Sequence, residues 1–259
     1  MDDTRKAEIR EVGIVGFGRC GRLAAEILAA HAQVTVTDRI DLSREAASLG
    51  VGWGELSTVA AKPFLLLVVP IRFLPRTLDA VAPHLARGAL VVDTGSVKML
   101  PLRWMAERLP ALARPVGTHP LFGPDSARVE GVRGRRIVVC PAPGHEDAAS
   151  EVEGLAREVG LEPIRAEAEE HDRAMAHSQA IVFLLSRAMD RAGFGPAAYG
   201  TPSEERLWSA LSLVADDSDE LYRDILGLNP YARDSIARLG AALRAEIERL
   251  GGAETRWAP

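Results

Sequence analysis

Val12-Gly13-Ile14-Val15-Gly16-Phe17-Gly18-Arg19-Cys20-Gly21 decides how this chain is read. A short apolar β-type run, 12–16, leads into Gly16-x-Gly18-x-x-Gly21. The residues beyond carry helical spacing, with Leu23, Ile27 and Leu28 on one stripe. Residues 33–38 (QVTVTD) then alternate as a strand and end on Asp38, 22 residues after Gly16. A glycine triplet alone is a weak signal. Placed between a strand and a helix, with an acid closing the next strand, it has the context of a dinucleotide-binding turn. Gly16 permits the tight turn, Gly18 lets the backbone approach a pyrophosphate, and Gly21 lets helix and strand pack closely. The stretch Phe17, Arg19, Cys20 opens the helix, whose free N–H groups and positive dipole end suit phosphates. Asp38 suits the adenosine ribose hydroxyls and would repel a 2′-phosphate, so NAD is favoured over NADP. Arg39 is the neighbour able to accommodate that phosphate instead.

Outward from this turn the α/β pattern continues. Residues 64–69 (FLLLVV) are continuously apolar, as in a strand covered on both faces, and Pro70 closes them. Further strands are expected at 89–93, 136–140 and 161–165, with helices at 71–86, 98–110 and 145–159. Strands alternating with helices predict a mostly parallel, doubly wound sheet with helices on both faces. From 169 to 250 no strand pattern remains. Helices are expected at 170–193, 203–216 and 218–250, broken by Gly193, Gly195 and Pro196. Asp217 or Ser218 is suited to cap the last, and Pro230 to kink or end part of it. The expected division is a Rossmann-like dinucleotide-binding domain, 1–167, and an all-helical domain, 168–259, with a loose tail at GGAETRWAP.

The chain has 259 residues, room for one large or two medium domains, with 47% hydrophobic and 26% charged residues. With 31 basic against 36 acidic residues the net charge is −5, which argues against a dedicated nucleic-acid binder. Only Lys6, Lys62 and Lys98 are lysines. Cys20 and Cys140 make neither a disulfide framework nor a zinc site alone, so no metal is expected and a reducing compartment is. No apolar run reaches the ~18 residues that span a bilayer, and the opening MDDTRKAEIR lacks the apolar core of a signal peptide. A cytoplasmic protein with no membrane partner is expected.

Two loops follow strands where an α/β sheet places its ligand site: Asp93-Thr94-Gly95-Ser96-Val97-Lys98, and Thr118-His119-Pro120-Leu121-Phe122-Gly123-Pro124-Asp125-Ser126. Of six histidines, only His119 sits in a Gly/Pro-rich loop after an apolar strand-like segment, and imidazole is the natural group for moving a proton near neutral pH.

GFGRCG, LLVVP, DTGSVK, HPLFGPDS and HDRAMAHSQ, in this order, together with ELYRDILGLNP, resemble the prephenate/arogenate dehydrogenase family of tyrosine biosynthesis over residues 11–240. No fused chorismate mutase or regulatory domain is discerned. The resemblance implies hydride loss from C4 of a cyclohexadiene, CO2 loss from C1, and an aromatic product. His119 matches the family's catalytic His, and Ser96 the Ser that orients the substrate hydroxyl and His119. Val69, Pro70 and Thr94 would line the cofactor path. Gly123, Ser126, Gln179 and Arg187 would face substrate. Lys98 reads as structural or at the cleft edge, and His171 and Asp172 as fixing a helix start. The helical half resembles the family's dimerisation region, which implies a homodimer through the C-terminal helices.

The chain departs from the family at two places. Many members carry a His where Phe183 stands, and an Arg on the following helix where Leu213 stands. Arg187, Arg206 or an Arg of a partner subunit is then needed for a substrate carboxylate. The departure also leaves open an amino analogue such as 4-amino-4-deoxyprephenate, or an NAD-binding regulator without chemistry. Relatives of similar architecture acting on β-hydroxyacids or imines rely on a Lys in the helical half, and no Lys follows residue 98.

Overall fold

A computed structural model describes residues 11–252. The charged opening and most of the GGAETRWAP tail lie outside the described residues. The chain runs β1 (Glu11–Val15), α1 (Arg19–Ala29), β2 (Gln33–Thr37), α2 (Ser43–Ser48), β3 (Gly52–Trp53), α3 (Leu56–Ala60), β4 (Phe64–Leu67), α4 (Leu74–Val81), β5 (Leu90–Asp93), α5 (Met99–Arg108), β6 (Arg114–Pro120), α6 (Pro124–Glu130), β7 (Arg136–Pro141), α7 (Glu146–Glu158) and β8 (Glu162–Arg165). Five helices follow: α8 (Ala168–His177), α9 (Gln179–Arg191), α10 (Pro202–Ser212), α11 (Asp219–Leu228) and α12 (Ala232–Gly252). Two compact units divide between His171 and Asp172, so the first turn of α8 belongs to the sheet unit.

The sheet has eight strands in the order β3-β2-β1-β4-β5-β6-β7-β8, parallel except where β6 meets β7. Its cores follow from period-two alternation with both faces covered. On β4, Phe64 and Leu66 join Val12, Ile14, Val34 and Val36 on one face, under Ala148 and Val152 of α7. Leu65 and Leu67 join Val91 and Val138 on the other, under Leu78 of α4 and Met105 of α5. The expected FLLLVV strand is therefore a fully buried β4, shorter by two residues.

Chain direction across the sheet reverses between β1 and β4. β1 connects outward to β2 on one side, and the chain returns to β4 on the other. In such sheets the crevice outside the carboxyl ends of the strands at this reversal is where ligands bind. β1 also lies close against α3: a Cβ on Gly13 would sit 2.2 Å from the Val59 carbonyl oxygen.

The helical unit has its own small core of Ala180 and Phe183 from α9, Ile225 from α11 and Ala232 from α12. Two expectations are corrected and one is met. The helix expected over 170–193 breaks at Ser178 into α8 and α9, with the Ser178 hydroxyl donating to the Ala174 carbonyl at 2.8 Å. As expected of Pro230, the helical pattern over 218–250 is ended part-way, at Asn229-Pro230, giving α11 and α12, and Ser218, one of the two expected caps, accepts from the Leu221 N–H at the start of the first. Residues 114–120 form a full strand.

Gly13→Ala forces strand and helix apart and should cost about 1–3 kcal/mol. Gly154→Ala, in α7 where an added Cβ meets nothing within 4 Å, should instead stabilise by about 0.5–1 kcal/mol. Urea midpoints of the two variants, moving in opposite directions from the parent, are the check.

Candidate active site

At the carboxyl end of β1 the chain enters the glycine turn. Gly16 has φ +99°, and a Cβ there would lie 2.1 Å from the Val68 carbonyl oxygen and 3.2 Å from Val69 Cγ1. A Cβ on Gly21 would lie 2.0 Å from the Gly16 carbonyl oxygen, so α1 starts against its own turn. Around Gly18 a Cβ would meet nothing within 4 Å: here the missing side chain leaves open space. Gly18 is also the N-cap of α1 and supplies no side-chain cap. Asp38 Oδ2 accepts the Phe17 N–H at 2.6 Å, tying the turn to the end of β2. Phe17 is buried, while Arg19 and Cys20 are exposed. Arg19 pairs with Asp125 of α6. The Arg39 guanidinium is 5.8 Å from the centre of the Phe73 ring. An uncapped helix start, an open Gly18 and a carboxylate at the tip of β2 fit a dinucleotide. Val69 is half-buried and Pro70 exposed beyond β4.

The other candidates lie at the ends of β5 and β6, on the same carboxyl edge of the sheet. Asp93 ends β5 and is buried with Lys98. The ammonium contacts both carboxylate oxygens, at 2.5 and 2.7 Å, and donates to the Thr118 carbonyl at 2.6 Å. The Thr118 hydroxyl in turn donates to the Asp93 carbonyl at 2.7 Å. Burial raises the Asp93 carboxyl above its ordinary range, and the Lys98 ammonium opposes that rise. Gly117 makes room for this arrangement, since a Cβ there would sit 3.1 Å from Lys98 Cδ.

His119 is the next residue. It lies within β6, opposite Val138 of β7, and not in a loop as expected. Its side chain is 4% exposed. Nδ1 lies 2.9 Å from Nε2 of His171, with ring planes at 78°. His119 holds its proton far less readily than an ordinary imidazole, first because it is buried, then because His171 and Lys98 lie nearby. His171, read from the sequence as fixing a helix start, is the side chain that bonds the His119 ring. The described hydrogen bond on that ring comes from His171 and not from Ser96.

Ser96 and Thr94 are half-buried in the turn after β5, where the Thr94 hydroxyl donates to the Leu67 carbonyl at 3.2 Å. Gly123 and Ser126 serve the start of α6: the Gly123 N–H donates to Ser126 Oγ at 3.1 Å and the Ser126 hydroxyl donates back to the Gly123 carbonyl at 3.0 Å. In the helical unit Gln179 opens α9, and its Oε1 is buried without a partner among the described residues. Arg187 bonds the Asp217 carbonyl and pairs with Asp219 at 3.4 Å. Phe183 is a core residue at 4% exposure, and Leu213 is 54% exposed at the end of α10.

Lys98→Met leaves the Asp93 carboxylate and the Thr118 carbonyl without their partner in a dry site, so a loss of about 3–5 kcal/mol is expected. Adding Asp93→Asn removes the stranded charge. Chemical denaturation should place the double variant above the single one.

Residues 23–161 match the family described as prephenate dehydrogenase, nucleotide-binding domain, a match that begins just after the glycine turn. Among curated relatives, arogenate dehydrogenase 2 of Arabidopsis thaliana is 24% identical over 96% of this chain and 72% of its own length. Arogenate dehydrogenase 1 of the same plant is 27% identical over 93% of this chain, which spans only 39% of that relative. The 4-amino-4-deoxyprephenate dehydrogenase of Streptomyces pristinaespiralis is 27% identical over 95% of this chain and 85% of its own length. The fold is that of a solved prephenate dehydrogenase from A. aeolicus in complex with hydroxyphenyl propionate and NAD+, at TM-score 0.76 and 19% identity over 95% of this chain and 93% of that one. A sheet reversing at a glycine turn, a buried histidine on its carboxyl edge and a family match over more than half the sequence agree: the chain belongs to the prephenate dehydrogenase family.

Proposed function

We propose that this protein is an NAD-dependent dehydrogenase that oxidatively decarboxylates a prephenate-like cyclohexadiene, prephenate or arogenate, to an aromatic product in tyrosine biosynthesis. The observation that carries the reading is the His119 imidazole, buried, disposed to stay neutral, and on the same sheet edge as the glycine turn. Gly16, Gly18 and Gly21 would hold the pyrophosphate and Asp38 the adenosine ribose, and NAD when bound supplies the hydride acceptor. The work of the chain itself is positioning and proton handling. As hydride leaves C4, the C4 oxygen gains carbonyl character and shares its proton with His119; as CO2 leaves C1 and the ring becomes aromatic, that proton returns to the oxygen of the phenol product. An imidazole kept neutral is the form that accepts it. The Ser96 hydroxyl, which makes no hydrogen bond among the described residues, would orient the substrate hydroxyl.

Among these substrates an amino-bearing one, arogenate or, as a second reading, the analogue 4-amino-4-deoxyprephenate, is favoured by the helical unit. Phe183 and Leu213 offer no charge where the resemblance implies a His and an Arg in many members, and Arg187 is held by Asp219 and the Asp217 carbonyl. Gln179 keeps a buried oxygen acceptor without a partner among the described residues, a group that suits an ammonium donor. The relative named for 4-amino-4-deoxyprephenate, covered over 85% of its length, agrees with that reading.

We also propose a cytoplasmic homodimer formed through the C-terminal helices. Among the described residues no helix is long and apolar enough to cross a membrane. The support for the dimer is Leu243, Ile247 and Leu250, exposed at 51%, 67% and 76% and spaced as one stripe of α12. Light scattering should report a dimer, and Leu243→Glu with Ile247→Glu a monomer.

Turnover of prephenate, arogenate and the amino analogue with NAD and NADP tests the activity. NADH formation coupled to CO2 release is expected with at least one of them, and no turnover with any would overturn the reading. His119→Asn should lower kcat by ~10²–10⁴-fold and leave NAD affinity by calorimetry unchanged. Because burial holds the His119 pKa well below 6.5, the base persists into acid. The falling limb of kcat/KM should therefore lie below pH 6.5, where an exposed histidine would already be half protonated.

A further inference from the structure

We infer that His171 is a positioning residue that fixes the tautomer of His119, accepting the Nδ1–H of that ring at its own Nε2 and so leaving the His119 Nε2 lone pair for the substrate proton. The inference rests on His119 being the base proposed above, and it assigns the second imidazole a part in the reaction.

The geometry makes the contact specific. The two ring nitrogens are 2.9 Å apart, and the rings meet edge-on at 78° with centroids 5.1 Å apart. That places a nitrogen lone pair of one ring in line with an N–H of the other. Both side chains are buried, His119 at 4% and His171 at 3% exposure. Nothing in the placement of His171 is loose. The Ala166 N–H donates to the Val139 carbonyl of β7, and the His171 N–H donates to the Glu167 carbonyl in the first turn of α8. His119 is itself paired to β7 through Val138. One strand therefore sets the position of both imidazoles.

One nitrogen of the pair must donate and the other accept. A base that receives a proton at Nε2 must already hold its own at Nδ1, and a buried Nδ1–H without an acceptor is costly. His171 is the acceptor the structure provides. It also disperses the charge that arrives during reaction: once His119 has taken the substrate proton, the Nδ1–H···Nε2 bond becomes charge-assisted. The groups facing His119 agree with a base that starts neutral. Lys98 lies nearby, its charge balanced by Asp93, and two contacting imidazoles cannot both be cationic. In acyl-transfer triads a buried carboxylate performs this orienting task for the base. Here an imidazole would do so without adding negative charge to a site that must bind an acid.

Ring 15N correlation spectra of the full-length, histidine-labelled protein at pH 7.5 test this, with His119 assigned by its loss in His119→Asn. The wild type should show His119 as the Nδ1–H tautomer. His171→Phe should convert it to the Nε2–H form and lower kcat by on the order of 10²-fold, with KM for NAD unchanged. His171→Gln, whose amide oxygen can take the place of Nε2, should keep the Nδ1–H form and recover kcat to within ~10-fold of wild type. An Nε2–H tautomer in the wild type overturns the inference, as does a His171→Phe variant that keeps both tautomer and kcat. Equal kcat losses in His171→Phe and His171→Gln with the tautomer unmoved would reduce His171 to packing, and overturn it too. If no cyclohexadiene is turned over, the activity reading fails by itself while the spectra still decide the histidine pair.

Discussion

The carboxyl edge of the sheet hangs on a buried ion pair. Lys98 and Asp93 are both inside the protein, and taking two charges out of water is costly unless every donor and acceptor finds a partner. Here the ammonium reaches both carboxylate oxygens and the Thr118 carbonyl, while the Gly95 N–H supplies a further bond to Asp93 Oδ1 at 2.8 Å. The pair fastens the end of β5 to β6 at the residue before His119. Strand alternation then leaves no choice in the face that the imidazole takes. An ion pair of this kind adds little net stability against an apolar substitute, but it fixes geometry, and geometry is what a proton acceptor needs.

Glycines do comparable work at the other end of the same edge. Gly16 and Gly21 are required by close backbone approach, Gly18 by nothing within the chain. Two of the three would clash with protein atoms if they carried side chains, whereas a side chain on the third would meet no protein atom. Asp38 shows the same division within one side chain. Oδ2 holds the turn by accepting the Phe17 N–H, while Oδ1 has only a long contact of 3.4 Å with the Ile40 N–H.

The sheet was legible because its strongest signals are local. The run from Val12 to Asp38 contains strand, turn, helix and acid within one span, and FLLL is apolar at every position because both faces are covered. What escaped was decided by distant partners. Arg114–Pro120 carries two prolines and a glycine, poor strand formers, and is extended because β5 and β7 pair with it on either side. The break at Ser178 has no proline or glycine to announce it. His171 lies 52 residues from His119, and no spacing rule connects a residue in a helix's first turn to one on a strand. The candidate site was legible in outline through its motifs, but the contact that sets the ring was not.

The helical unit shows where family pattern and packing part company. At position 183 a histidine would need a polar partner; the phenylalanine packs with Ala180, Ile225 and Ala232 instead. The core of this unit is small, so Phe183 contributes much of what holds α9 to α11 and α12, and replacing it with histidine would place a polar ring in that cluster. Arg187, one turn further on, has its charge balanced by Asp219, and its Nη2 satisfies the Asp217 carbonyl at the approach to α11. Its buried Nε remains the single donor with no partner among the described residues. α9 therefore offers one buried acceptor, on Gln179, and one buried donor, on Arg187, in place of a free cation. A guanidinium whose charge is matched by Asp219 and a neutral amide oxygen make a hydrogen-bonding pair rather than an electrostatic clamp.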